Sequence, residues 1–236
     1  MLEETPCWTE ADLIKRLKEM GIKLLLIPRI RFYLCKIRWR ILRKNLRFFE
    51  HPSAGVGSNV VTYNLTAFDH DSAFGAGARM DILLYPLAAL FYPTPSPAKV
   101  LIVGPRTEDD IFLAKALGLP NTRGLDLFSY SPFIDIGDMH TLPYADAEFD
   151  AVVLGWVLAY SSDPTKAIEQ SRRVLKKDGF LAIGWEWAPD PNVPSDIRGN
   201  HLNSVREIRE LVDFPAVFIH DPKRDINHHK AMIFRK

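Results

Sequence analysis

The pattern of apolar and polar positions changes near residue 98. From Lys99 onward, short apolar runs alternate with amphipathic segments. The apolar runs predict strands at residues 100–103, 123–127, 134–136, 149–154 and 180–185. Helical spacing and capping residues predict helices over 108–117, 163–177 and 204–212, and residues 216–220 with 231–235 predict a closing hairpin. This alternation predicts an α/β fold with a doubly wound, mostly parallel sheet and an antiparallel last strand.

The pattern of residues 1–50 predicts a basic, amphipathic helical extension, in which Gly21 is expected to end the first helix. No acidic residue occurs between Ile22 and Phe49, whereas nine residues of that stretch are basic. At about 100° per residue, one helical face carries Lys36, Arg40, Arg43, Lys44 and Arg47, while Ile37, Ile41, Leu42, Leu46, Phe48 and Phe49 lie broadly opposite and Arg38 is the exception.

Three hypotheses fit this extension. The helix can pack on the rest of the protein and leave a solvated basic rim. Alternatively, residues 29–47 can contact an anionic membrane surface or an acidic partner. The sequence alone favours the packed helix without excluding the other two.

Residues 51–98 predict a cover over the following domain. The stretch 51–78 is rich in Gly, Ser, Ala and Asn without a clear period, so it predicts a long loop, and 80–91 predicts a helix that the prolines after Tyr92 end. Loops of such length usually serve a site. We therefore divide the chain into an extension (1–50), a cover (51–98) and an α/β domain (99–236).

Composition narrows the class of protein. The chain has a net charge of +1 and is 47% hydrophobic, which is typical of soluble proteins and argues against a nucleic-acid partner. Cys7 and Cys35 have no disulfide or zinc spacing, and His228 and His229 lack further ligands, so no metal site is predicted. The acidic residues near the N-terminus do not fit a secretory signal. A cytoplasmic location is expected.

Four motifs occur in a fixed order within residues 99–184. They are Val-Leu-Ile-Val-Gly at 100–104, Gly-Leu-Asp-Leu at 124–127, a stretch from Gly-Asp-Met-His at 137 to the strand near 153, and Asp-Pro at 163 followed by Arg-Val-Leu-Lys-Lys-Asp-Gly at 173–179. This set resembles the class I S-adenosylmethionine (SAM)-dependent methyltransferases, especially those acting on small molecules and sugars. The resemblance implies a Rossmann-like domain that binds SAM.

The resemblance also implies which residues bind the cofactor. Asp126 ends the second strand, where a carboxylate can accept both ribose hydroxyls. Asp138 could accept the adenine amino group, and its context favours this role over that of a turn former after Gly137. The full set of expected cofactor-binding residues is Gly104, Pro105, Arg106, Glu108, Asp126, Leu127, Asp138, Met139, Gly155 and Trp156.

Two features depart from the family pattern. Arg106 and Glu108 stand where the second and third glycines of the cofactor loop belong. Arg106 could pair with the cofactor carboxylate or fill the pocket, and Glu108 could contact the cofactor ammonium or cap the next helix. The short spacing between Asp126 and Asp138 also leaves no room for the usual helix between strands two and three.

Candidate catalytic residues follow strands four and five. Glu186 could act as a general base, and Tyr160 lies where the family approaches the methyl acceptor. The expected function is transfer of a methyl group from SAM to an oxygen or nitrogen of a small molecule, such as a sugar or a lipid-linked glycan. The alternative is a non-catalytic binding protein that docks through its basic extension.

Overall fold

The structure is a computed structural model, and it describes residues 10–50, 60–69, 78–92, 98–161, 163–186, 204–222 and 229–236. Its strands are β1 (Arg47–Phe48), β2 (Lys99–Val103), β3 (Asn121–Asp126), β4 (Phe128–Ser129), β5 (Ile134–Ile136), β6 (Phe149–Gly155), β7 (Leu175–Glu186), β8 (Ala216–His220) and β9 (His229–Arg235). Its α-helices are α1 (Glu10–Leu24), α2 (Pro28–Leu42), α3 (Val60–Asp69), α4 (Ala78–Leu90), α5 (Asp109–Ala116), α6 (Pro164–Val174) and α7 (Val205–Val212).

The central sheet has seven strands in the order β5-β3-β2-β6-β7-β9-β8. The first five of these are parallel, and β9 pairs antiparallel with both β7 and β8. The predicted doubly wound sheet with an antiparallel last strand is therefore confirmed. The chain crosses from one half of the sheet to the other between β2 and β6, and open α/β sheets bind ligands at such a switch point.

Both faces of the sheet are buried because its inner strands are apolar throughout. Leu101, Val152 and Leu181 face one cluster with α6 and α7, whereas Val100, Val153 and Ala182 face another with α4 and α5. The helix termini follow local chemistry. Asp163 caps α6 through the amide of Lys166, and Ser204 and Glu207 form a reciprocal capping box on α7.

The extension packs on the domain, but not through the predicted face. Helix α2 contacts α5, and its buried side carries Arg31 and Cys35. Ile37 and Ile41, expected to face the core, are instead 54% and 60% exposed. The predicted orientation of this helix is therefore wrong at these two residues. Its inward side combines the ion-paired Arg31 and Arg38 with side chains that pack on an aromatic cluster, namely Phe32, Leu34, Trp39 and Leu42.

Three local predictions also need correction. Helix α1 continues through Gly21 to Leu24, since nothing packs against that glycine. The predicted helical pattern up to Phe49 ends at Leu42, and β1 pairs antiparallel with β4. The cover contains a helix, α3, that its sequence did not predict. Strand β4 occupies the short connection in which no helix was expected, as the spacing from Asp126 to Asp138 indicated.

Candidate active site

A pocket opens at the carboxyl ends of the parallel strands, beside the switch point between β2 and β6. Helices α3 and α4 of the cover contribute to its wall. It is lined by Asn64, Arg79, Val103, Gly104, Arg106, Leu125, Asp126, Leu127, Gly137, Met139, Gly155, Trp156, Val157 and Tyr160.

The loop after β2 keeps a glycine-like backbone although it is poor in glycine. Gly104 has φ +71°, and a Cβ there would come within 2.8 Å of Val157 Cγ2. Arg106 has φ +55°, in the left-handed region that favours glycine. Arg106 is one of the residues that line the pocket. The loop thus retains the curvature of a cofactor loop and adds a guanidinium to the pocket wall.

Asp126 ends β3 at the floor of the pocket, and backbone amides hold its carboxylate in place. Oδ2 accepts a hydrogen bond from the Arg106 amide at 2.9 Å, and Oδ1 accepts one from the Leu127 amide at 2.7 Å. Burial raises the pKa of Asp126 to about 6, although these amides and the Arg106 charge oppose the rise. Each oxygen retains acceptor capacity for a ligand hydroxyl.

The segment after β5 presents two of the predicted residues differently. Met139 lines the pocket together with Gly137, whereas Asp138 between them does not. Oδ1 of Asp138 instead accepts from the His140 amide at 2.8 Å and lies 2.6 Å from His140 Nδ1. The other ring nitrogen lies 2.6 Å from Ser161 Oγ. This buried series of hydrogen bonds from Asp138 through His140 to Ser161 connects two segments of the pocket wall. Contact of Asp138 with adenine stays a prediction.

Trp156 forms the wall above β6 in a strained backbone conformation. Its φ is +58°, which is unusual for a bulky residue, and its amide donates to the Gly184 carbonyl at 2.9 Å. The ring lies so close to Gly184 that a Cβ there would approach it to 2.6 Å. Arg79 stacks over the same ring at 5.4 Å. This packing aligns the indole with the carboxyl ends of β6 and β7.

Two buried polar atoms of the pocket residues lack hydrogen-bond partners among the described residues. They are Trp156 Nε1, a donor, and Asn64 Oδ1, an acceptor. Buried polar groups are normally satisfied, so an orphaned pair on one pocket suggests a polar ligand. The close approach at Gly104 and the carboxylate of Asp126 fit the same interpretation. The residues present therefore fit a nucleoside cofactor.

Of the predicted site residues, Gly104, Arg106, Asp126, Leu127, Met139, Gly155, Trp156 and Tyr160 line the pocket. Pro105 is buried beneath the loop, where its ring would meet a Cβ at Gly124. The backbone of Glu186 ends β7 opposite His229, and its side chain lies outside the described part of the structure. Sequence reasoning missed Asn64 and Arg79, although the length of the cover indicated that this region serves a site.

Glu108 lies on the opposite side of the loop from the pocket. Its fully buried carboxylate accepts from Arg38 Nε at 2.5 Å and Nη2 at 2.8 Å, and from the Ser131 hydroxyl. The expectation that Glu108 contacts the cofactor is therefore not met by this geometry. Its side chain does not cap α5 either, because it is used to bind the extension.

Comparisons with known proteins agree with this geometry. Residues 121–183 match the family model described as a methyltransferase domain. The uncharacterized methyltransferase YcgJ of Bacillus subtilis is 33% identical over 87 residues, which are 35% of this chain and 34% of that protein. The demethylmenaquinone methyltransferase of Thermotoga maritima is 40% identical over 48 residues, 20% of this chain and 21% of that protein. The chain thus spans about a third or less of these relatives' length.

Solved structures share the fold at low identity. The 1,6-didemethyltoxoflavin-N1-methyltransferase of Burkholderia thailandensis, solved with 1,6-didemethyltoxoflavin and S-adenosylhomocysteine, matches with a TM-score of 0.55 and 15% identity over 81% of this chain and 94% of that one. The [4+2]-cyclase SpnF matches with a TM-score of 0.55 and 16% identity over 78% of this chain and 98% of that one. The comparisons thus show a methyltransferase-domain match over residues 121–183 and the same overall fold as these solved structures.

Proposed function

We propose that this protein transfers the methyl group of SAM to an oxygen or nitrogen atom of a small acceptor, with sugars and lipid-linked glycans as candidate substrates. The observation that carries the proposal is Asp126, whose carboxylate is fixed by two backbone amides on the pocket floor. A carboxylate at the end of this strand can accept both hydroxyls of a ribose. The relatives named as methyltransferases support the reaction class, and they do not favour the non-catalytic alternative.

Each part of the cofactor has a counterpart in the pocket. Met139 would offer an apolar surface to the adenine ring, and Asp126 would accept hydrogen bonds from the ribose hydroxyls. The Arg106 guanidinium can pair with the terminal carboxylate, since its planar fork suits that group. When bound, SAM supplies an electrophilic methyl carbon: the acceptor lone pair forms a bond to it as the carbon–sulfur bond breaks and its electron pair passes to sulfur.

The remaining pocket residues would orient the acceptor and exclude water. Tyr160 ends the short helix after β6, on the pocket wall. Glu186 follows at the end of β7, and we propose that it accepts the proton released by the acceptor. Positioning alone contributes much of the catalysis in such a transfer, so no further catalytic dyad is required.

Calorimetric titration with S-adenosylhomocysteine tests the cofactor assignment. The wild type should bind, and Asp126→Ala should bind about 5–150-fold more weakly, which corresponds to loss of about 1–3 kcal/mol of polar contacts. Asp150→Ala is the matched control, because Asp150 lies at the opposite end of the sheet and pairs with Lys176. Absence of binding by the folded wild type at millimolar ligand would refute the proposal.

The reaction class needs a separate assay, because SpnF illustrates that one fold can carry another activity. SAM with an isotopically labelled methyl group should label an acceptor from a panel of sugars and lipid-linked glycans. Glu186→Gln should reduce the transfer rate while leaving cofactor affinity unchanged. Equal transfer rates in the two proteins would exclude the proposed base.

A further inference from the structure

Exposed apolar side chains are concentrated in the extension. The described residues include fifteen large hydrophobic side chains with substantial exposure, and ten of them lie between Leu17 and Phe48. Surfaces of monomeric proteins carry single apolar residues routinely, but a concentrated apolar surface usually marks an interaction site. The extension therefore exposes more apolar surface than is usual for helices that face solvent.

On α2 these side chains form one stripe. Ile30, Tyr33, Ile37 and Ile41 recur at intervals of three and four residues, so they share one side of the helix, and each is at least 37% exposed. The opposite side is fixed to the domain. There Arg31 donates to Asp109, and Arg38 to Glu108. These pairs keep the apolar stripe facing outward.

Basic side chains surround the stripe. Between Met20 and Phe49 the sequence contains no acidic residue. The exposed basic residues of this stretch are Lys23, Arg29, Arg40, Arg43, Lys44 and Arg47. Lys15 and Lys18 add exposed positive charge on α1. The surface is therefore apolar along α2, and between residues 20 and 49 its charges are all positive, whereas α1 also carries the exposed Glu19.

We propose that this face, formed by α1, α2 and Arg43–Asn45, docks on the surface of an anionic lipid bilayer. Aliphatic side chains enter the acyl boundary while lysine and arginine contact lipid phosphates, which is how interfacial helices bind. Two other partners fit this face less well than a bilayer. A second copy of the chain would bring like charges together, and nucleic acid offers no apolar surface for the aliphatic stripe to contact. No helix among the described residues has the length and hydropathy of a bilayer-spanning segment, so the contact is peripheral.

Sedimentation with vesicles tests the proposal. The full chain should bind vesicles of phosphatidylcholine with 30% phosphatidylserine, as roughly expected for an anionic leaflet, and not vesicles of phosphatidylcholine alone. Each basic residue near such a surface contributes a factor of about five, so Arg29→Gln with Arg40→Gln should weaken binding about 25-fold. The control, Lys166→Gln with Lys177→Gln, removes the same charge from exposed positions on and beside α6 and should bind like the wild type.

The apolar part has its own matched pair of variants. Ile41→Glu should weaken vesicle binding at least about tenfold, because an exposed isoleucine of the stripe is replaced by a charge repelled by the lipid. Ile219→Glu is the control, since Ile219 is 48% exposed on β8. Unchanged S-adenosylhomocysteine affinity in all variants would show that they fold and that docking is separate from the proposed function.

Three results would overturn lipid docking. One is absence of vesicle binding by the wild type at low salt. Another is equal loss in Ile41→Glu and Ile219→Glu, which would indicate a purely electrostatic contact. The last is a dimer in analytical ultracentrifugation that Ile41→Glu dissociates, which would assign the stripe to a second copy.

Discussion

One short segment, the loop of residues 104–108 with the first residue of α5, contacts two regions of the molecule that differ in construction. Its pocket side carries Gly104 and Arg106, and its other side carries Glu108 and Asp109, which pair with Arg38 and Arg31 of α2. The pocket side stores backbone strain, since Arg106 has a left-handed conformation. The α2 side has ordinary backbone at Glu108 and holds two ion pairs instead, a buried one between Arg31 and Asp109 and a partly buried one between Arg38 and Glu108.

This difference explains one of the two missing glycines of the cofactor loop, the one replaced by Glu108. Glu108 stands at the third glycine position because a carboxylate there can bind Arg38 and Ser131. Its φ of −77° shows that the position requires no glycine conformation. Arg106, in contrast, keeps the conformation and changes the chemistry of the pocket. Glutamate in place of the third glycine is thus explained by the ion pair that attaches helix α2 to this loop.

The largest expected effect lies on the α2 side. Among the described residues, Arg38→Met leaves the fully buried Glu108 carboxylate with Ser131 as its one remaining side-chain partner, so the free energy of unfolding should fall by about 3 kcal/mol. Denaturant unfolding measures this change. Arg40→Met, an exposed position on the same helix, should change stability by less than about 0.5 kcal/mol.

A second variant distinguishes loss of the pair from loss of packing. Adding Glu108→Gln to Arg38→Met removes the uncompensated charge, so much of the stability should return. If the double variant is no more stable than Arg38→Met, the pair does not hold the extension as we infer.

The same contrast explains which parts of the structure the sequence predicted. Inner strand β6 differs from its predicted bounds by one residue, because a strand buried on both faces is apolar along most of its length. Edge strand β5 has the predicted bounds, although it contains Asp135. The orientation of α2 failed because its inward residues Arg31 and Arg38 are charged. Their partners lie 78 and 70 residues further along the chain, and helical periodicity contains no information on such pairs.

The candidate site shows a similar division. Asp126 could be predicted because a carboxylate at the end of β3 follows from the strand pattern. Asn64 and Arg79 could not, because their pocket role depends on how the cover folds over the sheet. Asp138 is turned toward His140, and that contact forms within a local segment whose conformation the sequence pattern does not specify.

The next largest expected change in stability is on the pocket side, at Gly184. Gly184→Ala places a Cβ within 2.6 Å of the Trp156 ring, so the ring must move and stability should fall by about 2 kcal/mol. Cofactor affinity should fall as well, since Trp156 lines the pocket. Gly21→Ala is the matched control: nothing lies near that glycine within α1, so the same change there should stabilise by up to about 1 kcal/mol. Thermal unfolding of both variants checks the contrast, and equal effects would contradict it.

A smaller effect follows from the ionisation of Asp126. Its pKa is raised to about 6, and the ionised form is the one that accepts ribose hydroxyls. Affinity for S-adenosylhomocysteine should therefore be constant above about pH 7, fall to about half near pH 6, and reach about a tenfold loss near pH 5. Calorimetry across this range measures the profile. Asp126→Asn should bind weakly with a flat profile; a profile like that of the wild type would assign the titration to another group.

The smallest effect concerns Arg106, the pocket-facing residue of the shared loop. If its guanidinium pairs with the carboxylate of the cofactor, Arg106→Gly should weaken SAM binding about fivefold, the value of a partly screened ion pair near 1 kcal/mol. Adenosine lacks that carboxylate, so its affinity should stay nearly unchanged. Arg106→Lys keeps the charge but loses the planar fork, so its affinity for SAM should lie between those of the wild type and Arg106→Gly. If the side chain obstructs the pocket instead, glycine would tighten binding of SAM. One titration series with both ligands separates these outcomes, because pairing and obstruction change the affinity for SAM in opposite directions.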